Sequence, residues 1–138
     1  MARRQARQQA VRWLYEQDVG GTALDELIGR TVQGIRPEDA RYAKELIRGV
    51  DAHRGELDEW LGHLSHDWRV ERMAAVDRAV LRLGLYELRY ARDVPAPVVL
   101  SEAVELTGMF STPQAKRFVN GVLSQASREV HDPVADSP

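Results

Sequence analysis

Apolar residues recur along this chain at spacings of three and four positions, which is the period of an amphipathic α-helix. The pattern is densest in MAAVDRAVLRLGLYELRY, residues 73–90, where apolar side chains occupy nearly every turn. A helix that is apolar almost all round has to be enclosed by other helices. This segment therefore predicts a central core helix, with the rest of the chain packed around it.

Charged residues give the predicted central helix one polar edge. Arg78, Arg82 and Arg89 are separated by four and seven positions, so they share one side of the helix, and Asp77 lies beside them. This spacing is typical of a solvated row of surface ion pairs, and it is also compatible with a partner-binding surface. The pattern alone favours the ion pairs.

The same period predicts helices before the central one. The first covers residues 3–19 and is ended by two glycines, and a short second helix follows with Thr22 as its N-cap. A third apolar stripe starts at Pro37 and continues for about 26 residues. Glycine costs a helix roughly 1 kcal/mol relative to alanine, so we expect this long stretch to bend or break near Gly55.

Prolines mark the boundaries that follow the central helix. Pro95 and Pro97 interrupt the pattern, and a further helix is expected to end near Phe110. Thr112 followed by Pro113 is a strong signal for the start of the last helix. No strand pattern remains, so the predicted fold class is all-α, with about seven helices and no sheet.

The pattern also sets the expected domain organisation. A chain of 138 residues has the usual length of one domain. We expect a single helical domain over residues 1–130 and a disordered tail over residues 131–138, HDPVADSP, which is polar and contains two prolines. The tryptophans Trp13, Trp60 and Trp68 are expected to anchor the core or its margin.

Composition excludes several classes of protein. The chain has no cysteine, so it has no disulfide framework, thiolate nucleophile or cysteine-ligated metal. No apolar run approaches the roughly 20 residues that a membrane span needs, which argues against a membrane protein. The basic start MARRQARQQA lacks the apolar block of a secretory signal, so the expected location is cytoplasmic.

Candidate catalytic residues are few. His63 and His66 have a metal-ligand spacing but lack a third ligand nearby, so no metal site is expected. Glu102 and Glu105 share a helix face and could form an acid–base pair, although a solvated or arginine-paired face is favoured. No glycine-rich phosphate loop follows a strand. The prediction is a protein that is not an enzyme and that has no cofactor.

The strongest functional signal is the basic first helix. Arg3, Arg4, Arg7 and Arg12 precede the first acidic residue, and Tyr15 shares a face with two of them. Guanidinium groups beside an aromatic ring are typical of surfaces that bind single-stranded RNA. A frayed, solvated helix start is an equally good interpretation of the same residues.

Several blocks of sequence resemble the NusB family of transcription antitermination factors. They occur in the order known for that family and span residues 3–127. The blocks are Arg3-Arg4-Gln5-Ala6-Arg7, Ala10-Val11 with Leu14-Tyr15, Leu46-Ile47-Arg48-Gly49-Val50, Val76 to Leu83 with Tyr86-Glu87-Leu88, Asp93-Val94-Pro95, Glu102-Ala103-Val104-Glu105-Leu106, and Phe118 to Leu123. Each block is weak by itself, and together they are specific.

The resemblance implies a fold of two packed three-helix subdomains and an RNA-binding role. Members of the family pair with NusE, which is also a small-subunit ribosomal protein. The pair binds single-stranded boxA-type RNA in nascent transcripts, particularly those of rRNA operons. Within the RNA polymerase antitermination complex it supports rRNA transcription and maturation.

The resemblance also implies site residues by position. The expected RNA-binding residues are Arg3, Arg4, Arg7, Arg12, Phe110, Gln114 and Arg117. The expected partner-binding residues are Tyr15, Asp77, Arg78 and Arg82. The chain departs from the family pattern at Leu100-Ser101, at Thr107-Gly108, where a cation is lost, and at Gln114, where relatives often carry an acid.

Two other functions fit the same residues. A NusB-like domain begins certain rRNA cytosine methyltransferases, and we expect this chain to differ because no cofactor-binding domain follows residue 138. A helical adaptor that binds only proteins is the alternative from another class. A homodimer that covers the arginine face is compatible with all of these interpretations.

Overall fold

A computed structural model describes residues 3–66 and 68–131 of the chain, and within these residues it contains seven α-helices, one 3₁₀ turn and no strand. The helices are α1 (Arg4–Gly20), α2 (Leu24–Gly29), α3 (Pro37–Ala52), α4 (Arg54–Leu64), α5 (Ala75–Tyr90), α6 (Ala96–Phe110) and α7 (Pro113–His131), and the 3₁₀ turn is Val70–Arg72. The all-α prediction is confirmed.

The central position of α5 is confirmed. This helix packs against α1, α3, α4, α6 and α7, and its Leu81, Leu85 and Leu88 are almost completely buried. With α6 and α7 it forms one three-helix unit, while α1 and α3 pack together on its other side. Gly84 allows the close approach of α7, because a Cβ atom there would lie 2.8 Å from a methyl carbon of Leu123.

Two boundary predictions agree with the structure. The long third stretch is divided into α3 and α4 at His53, two residues before Gly55, where the backbone leaves the helical conformation (φ −113°, ψ 17°). At the start of α7, the backbone N–H of Ala115 donates a hydrogen bond to the Thr112 hydroxyl over 3.2 Å. That bond satisfies one of the free N–H groups at the helix start.

Other predictions were wrong or lie outside the described residues. Thr22 is not an N-cap, because α2 begins two residues later and the Thr22 hydroxyl donates instead to the Glu16 carboxylate over 3.1 Å. Trp68 is 57% exposed, unlike the buried Trp13 and Trp60. The last helix includes His131, the first residue of the predicted tail; the rest of that tail lies outside the described residues.

Among the described residues, no helix combines the length and apolar character that a membrane crossing requires.

Candidate nucleic-acid interface

Four residues of α1 share one face of the helix, and the first three of them contact α6; we call this row the α1 stripe. The stripe consists of Arg4, Gln8, Arg12 and Tyr15. The Gln8 amide lies 3.6 Å from the Met109 sulfur. The Arg12 guanidinium carbon lies 5.4 Å from the centre of the Phe110 ring, which is within the range of cation–π attraction. The spacing of four, four and three residues along the helix puts these side chains on one face.

Arg12 and Tyr15 are the open end of the stripe. Arg12 is exposed and makes no ion pair within the described residues, and Tyr15 is 41% exposed. A guanidinium group without an ion pair, close to the Phe110 ring and on the same helix face as Tyr15, is the combination that the sequence predicted for this face. Such a surface offers donors to phosphate groups and flat faces to bases.

The start of α7 continues this surface beyond the end of α6. Gln114 and Arg117 are exposed and line an open cleft together with Pro113 and Phe118. The first turn of α7 contains no acidic residue, so the positive end of the helix dipole is not neutralised there. An anion is therefore favoured at this helix start.

An aromatic cleft of about 330 Å³ lies between the start of α7 and the start of α5, and we call it the Trp68 cleft. Its lining residues are Trp68, Arg72, Met73, Ala74, Asp77, Thr112, Gln114, Ala115 and Phe118. The rings of Trp68 and Phe118 meet edge to face, with their centres 6.5 Å apart. The cleft thus has an aromatic wall and a carboxylate, and it shares Gln114 with the surface at the start of α7.

Asp77 faces the Trp68 cleft rather than the arginines of α5. It is in the first turn of α5, where the helix dipole favours a carboxylate. Its buried Oδ1 atom has no hydrogen-bond partner among the described residues. A buried carboxylate oxygen without a donor is unfavourable. Asp77 as a whole is only half-buried and lines the Trp68 cleft, so a partner that enters the cleft can reach the residue.

The N-terminal arginines differ in how accessible they are. The Arg4 guanidinium donates two hydrogen bonds to Glu102, from Nε over 3.1 Å and from Nη2 over 2.8 Å. These bonds hold the pKa of Glu102 below its ordinary value, against the opposing effect of partial burial. The arginine-paired interpretation of Glu102 is confirmed. Arg3 remains partly exposed, over the ring of Tyr42.

Arg7 is inside the fold, where RNA cannot reach it. The residue is only 4% exposed, and its Nε and Nη2 atoms donate to the two oxygens of Glu87 over 2.9 and 3.0 Å. Burial lowers the pKa of Arg7, but the hydrogen bonds and charge of Glu87 more than offset this, so the pKa is raised overall. The expected phosphate contact of Arg7 is therefore corrected to a structural ion pair between α1 and α5.

The arginines on the edge of α5 are paired with carboxylates from α1 and α4. The partners are Asp18 for Arg78 (2.6 Å), Asp58 for Arg82 (2.8 Å) and Glu56 for Arg89 (2.7 Å). Arg78 also donates to two backbone carbonyls that precede α5. The solvated edge suggested by the spacing is thus a row of ion pairs, partly buried, and neither Arg78 nor Arg82 presents a free guanidinium group to a partner.

Two aromatic residues of this region were not predicted as functional. The sequence places Trp68 with the tryptophans that anchor the core or its margin, and Phe118 only within the last block of family resemblance. The available signal was the position of Trp68 in a short connection between helices, where exposed functional side chains are common.

Comparison with known proteins agrees with this architecture. A model of the NusB family matches residues 4–128. The transcription antitermination protein NusB of Rubrobacter xylanophilus is 46% identical over 136 residues, covering 99% of this chain and 97% of that protein.

Solved structures of the same type superpose closely. T. maritima NusB gives a TM-score of 0.86 at 27% identity and covers 94% of this chain and 92% of that one. A structure of the antitermination factors NusB and NusE in complex with dsRNA gives 0.83 at 29% identity, with coverages of 92% and 96%. Because the family match covers nearly the whole length and the fold agrees throughout, this chain belongs to the NusB family.

Proposed function

We propose that this protein is an RNA-binding transcription antitermination factor that binds boxA-type RNA together with NusE and supports rRNA transcription and maturation. The observation that carries the proposal is a surface on which arginines without a close ion pair lie near exposed and half-buried aromatic rings. It runs from the open end of the α1 stripe, across Phe110, to the start of α7 and the Trp68 cleft. The family relationship and the related structure of NusB and NusE in complex with dsRNA support an RNA-binding role together with NusE.

For RNA, we assign phosphate contacts to Arg3, Arg12 and Arg117, whose guanidinium groups retain free donors. Phe110 offers a ring for stacking, and Gln114 offers both a donor and an acceptor to a base edge. Arg4 contributes once a phosphate competes with Glu102 for it. About three neutralised phosphates on a single strand correspond to a log–log salt slope near −2.

For NusE, we assign direct contact to Tyr15 and Asp77. Tyr15 is exposed, and the half-buried Asp77 lines the Trp68 cleft. Arg78 and Arg82 support this surface indirectly, since their ion pairs tie α5 to α1 and α4. Because so few groups contact RNA, a partner that adds a second RNA surface increases the combined affinity.

The proposed role is one of binding and not of catalysis. The charged groups of the surface either can donate hydrogen bonds to phosphate or are held in ion pairs. The aromatic rings lie at or near the protein surface, where bases can stack on them. Bacterial transcripts are made in the cytoplasm, so the proposed site of action is cytoplasmic.

The RNA assignment is tested by titrating labelled boxA-type RNA with the protein, alone and with NusE, against a scrambled RNA of equal length. Arg12→Ala and Arg117→Ala should each weaken binding and make the salt slope shallower by about 0.7. Arg48→Ala removes the same charge from an exposed position on α3 and serves as the matched control. Equal binding of boxA-type and scrambled RNA in the presence of NusE would refute the boxA assignment.

The NusE assignment is tested separately. Asp77→Lys should abolish NusE binding in isothermal calorimetry, because it replaces a carboxylate acceptor with a cation inside the Trp68 cleft. Asp25→Lys makes the same change at an exposed position of α2 and should leave NusE binding intact. If both variants are folded by circular dichroism and bind NusE equally, the assignment of Asp77 is wrong.

A further inference from the structure

The arginines of the first turn of α1 occupy three different environments. Arg7 is buried against Glu87, and Arg4 has two of its donors engaged by Glu102. Arg3 is different, because its guanidinium carbon lies 4.0 Å from the centre of the Tyr42 ring, on α3. The three residues therefore differ in what they can offer to an RNA phosphate.

Arg3 is held on one side and open on the other. The Tyr42 ring covers one face of its guanidinium group, while the side chain as a whole remains 42% exposed. Its ion pair with Asp93 is long, at 3.6 Å, and the Asp93 side chain is itself 72% exposed. An ion pair of this kind contributes little and is readily displaced by a phosphate.

The ring beneath Arg3 is itself fixed in place. The Tyr42 hydroxyl donates to Oε2 of Glu87 over 2.8 Å, and the same carboxylate accepts the two hydrogen bonds from Arg7. Glu87 is 2% exposed, so this network lies in the core. It connects α1, α3 and α5 directly below the start of α1.

The start of α1 needs such support. Its N-cap residue is Arg3, no side chain caps the helix, and its first turn contains no acid. Positive charges at the positive end of the helix dipole oppose helix formation at that point. Without contacts from the rest of the fold, this turn would fray and its arginines would be mobile.

We propose that Tyr42, anchored by Glu87, is a positioning residue that holds Arg3 in a fixed orientation for contact with RNA. This inference rests on the proposed RNA-binding function and concerns the same surface. A guanidinium group already seated on a ring loses less freedom when it binds than a mobile one does. The open face of Arg3 remains available to a base, and its edge donors to a phosphate.

The test is a double-mutant cycle on boxA-type RNA with NusE present. Removing the ring by Tyr42→Leu should weaken RNA binding about threefold to tenfold, which is the range expected from one side chain that is no longer pre-ordered. In an Arg3→Ala background the same change should have no further effect, since the residue that it positions is absent.

Tyr42→Phe is the matched control, because it keeps the ring and removes only the hydroxyl group. Because the ring stays under Arg3 but loses its anchor on Glu87, Tyr42→Phe should weaken RNA binding less than Tyr42→Leu does, and it should also destabilise the fold since Glu87 loses a donor. Proton NMR adds a readout on the unmodified protein. In the RNA-free state, the Arg3 side-chain methylene protons should be shifted upfield by the ring current of Tyr42.

The outcomes separate the inference from the proposed function. The inference is wrong if the Arg3 side-chain protons of the free protein have random-coil chemical shifts. It is also wrong if the effects of Tyr42→Leu and Arg3→Ala on RNA affinity are additive. If Arg3→Ala alone has no effect while Arg12→Ala weakens binding, the inference fails and the proposed function stands. If the unmodified protein does not discriminate boxA-type from scrambled RNA, the proposed function fails and the inference falls with it.

Discussion

Arg12 on the α1 stripe and the arginines of α5 both lie on the polar face of a helix, but the neighbouring helices bring different groups to them. On α5, Arg78, Arg82 and Arg89 each meet a carboxylate from a neighbouring helix. On the α1 stripe, Arg12 meets an aromatic ring and keeps its donors free among the described residues. The spacing determines only which side of a helix carries the charges.

What differs is the surface that packs beside each row. The edge of α5 runs between α1 and α4, and both of these helices bring acidic residues to it. The α1 stripe runs beside the end of α6, where Met109 contacts Gln8 and Phe110 lies near Arg12. An arginine held at close range by a carboxylate stabilises the fold, whereas Arg12, which has no carboxylate partner among the described residues, is available to bind. Substitutions in the α5 row should therefore lower the stability of the fold, and substitution of Arg12 should lower the RNA affinity.

The largest loss of stability is expected from substitution of Arg7, which is the buried arginine of α1. Arg7→Ala leaves Glu87 with an uncompensated buried charge and should lower the free energy of unfolding by about 3–5 kcal/mol, measured by urea denaturation. Arg7→Ala combined with Glu87→Leu should recover part of this loss, because the isolated charge is gone. A loss below about 1 kcal/mol in the single variant would contradict a buried structural pair.

The next effect is expected on the edge of α5. Arg82→Ala should lower the free energy of unfolding by about 2 kcal/mol, which is less than for Arg7 because Asp58 is partly exposed and can be solvated once its partner is removed. RNA affinity, measured on the folded protein by anisotropy, should stay within experimental error of the unmodified protein. If Arg82→Ala weakened RNA binding and left stability unchanged, Arg82 would be an RNA-binding residue and not part of a structural ion pair.

A smaller effect of the opposite type is expected on the α1 stripe. Arg12→Ala should weaken RNA binding about threefold to tenfold, which is the size of one lost charge-assisted contact. The free energy of unfolding should change by no more than about 0.5 kcal/mol, since the side chain is exposed. If Arg12→Ala lowered stability as much as Arg82→Ala does, Arg12 would be a structural residue like the arginines of α5.

The smallest effect concerns the ion pair of Arg4 with Glu102. The pKa of Glu102 is lowered in the folded state, so its contribution to stability is complete above the unfolded pKa of about 4.3 and is lost as the pH falls through the folded pKa. The difference in stability between the unmodified protein and Glu102→Gln should therefore be constant from pH 7 to 5 and shrink below pH 4. Urea titrations at these pH values measure it, and a difference that grows on acidification is incompatible with the pair.

Most of the fold could be predicted from the sequence, because helix boundaries depend on local chemistry. Thr112 and Pro113 define the start of α7, and the apolar pattern of residues 73–90 identifies the enclosed helix. Thr22 shows the limit of this approach. Its hydroxyl could cap α2 equally well, but the folded chain brings Glu16 within hydrogen-bonding distance, and a charged acceptor is the stronger partner.

The candidate site could be predicted only in outline. The sequence identified the first helix and the region around residues 110–117, but it could not show that Arg7 is buried or that Trp68 is exposed. Periodicity assigns a residue to one face of its own helix. It carries no information about which other helix covers that face, or whether that helix brings a carboxylate, a ring or nothing.

By itself, the sequence determined the helical class, the central helix, the main breaks and the concentration of arginine at the start of the chain. These properties follow from interactions within about four residues, which the order of amino acids specifies directly. Only the tertiary structure decided which arginines are free. Glu87 lies 80 residues from Arg7, and Asp58 lies 24 from Arg82. The availability of each charge for binding depends on partners that only the packing of the helices brings together.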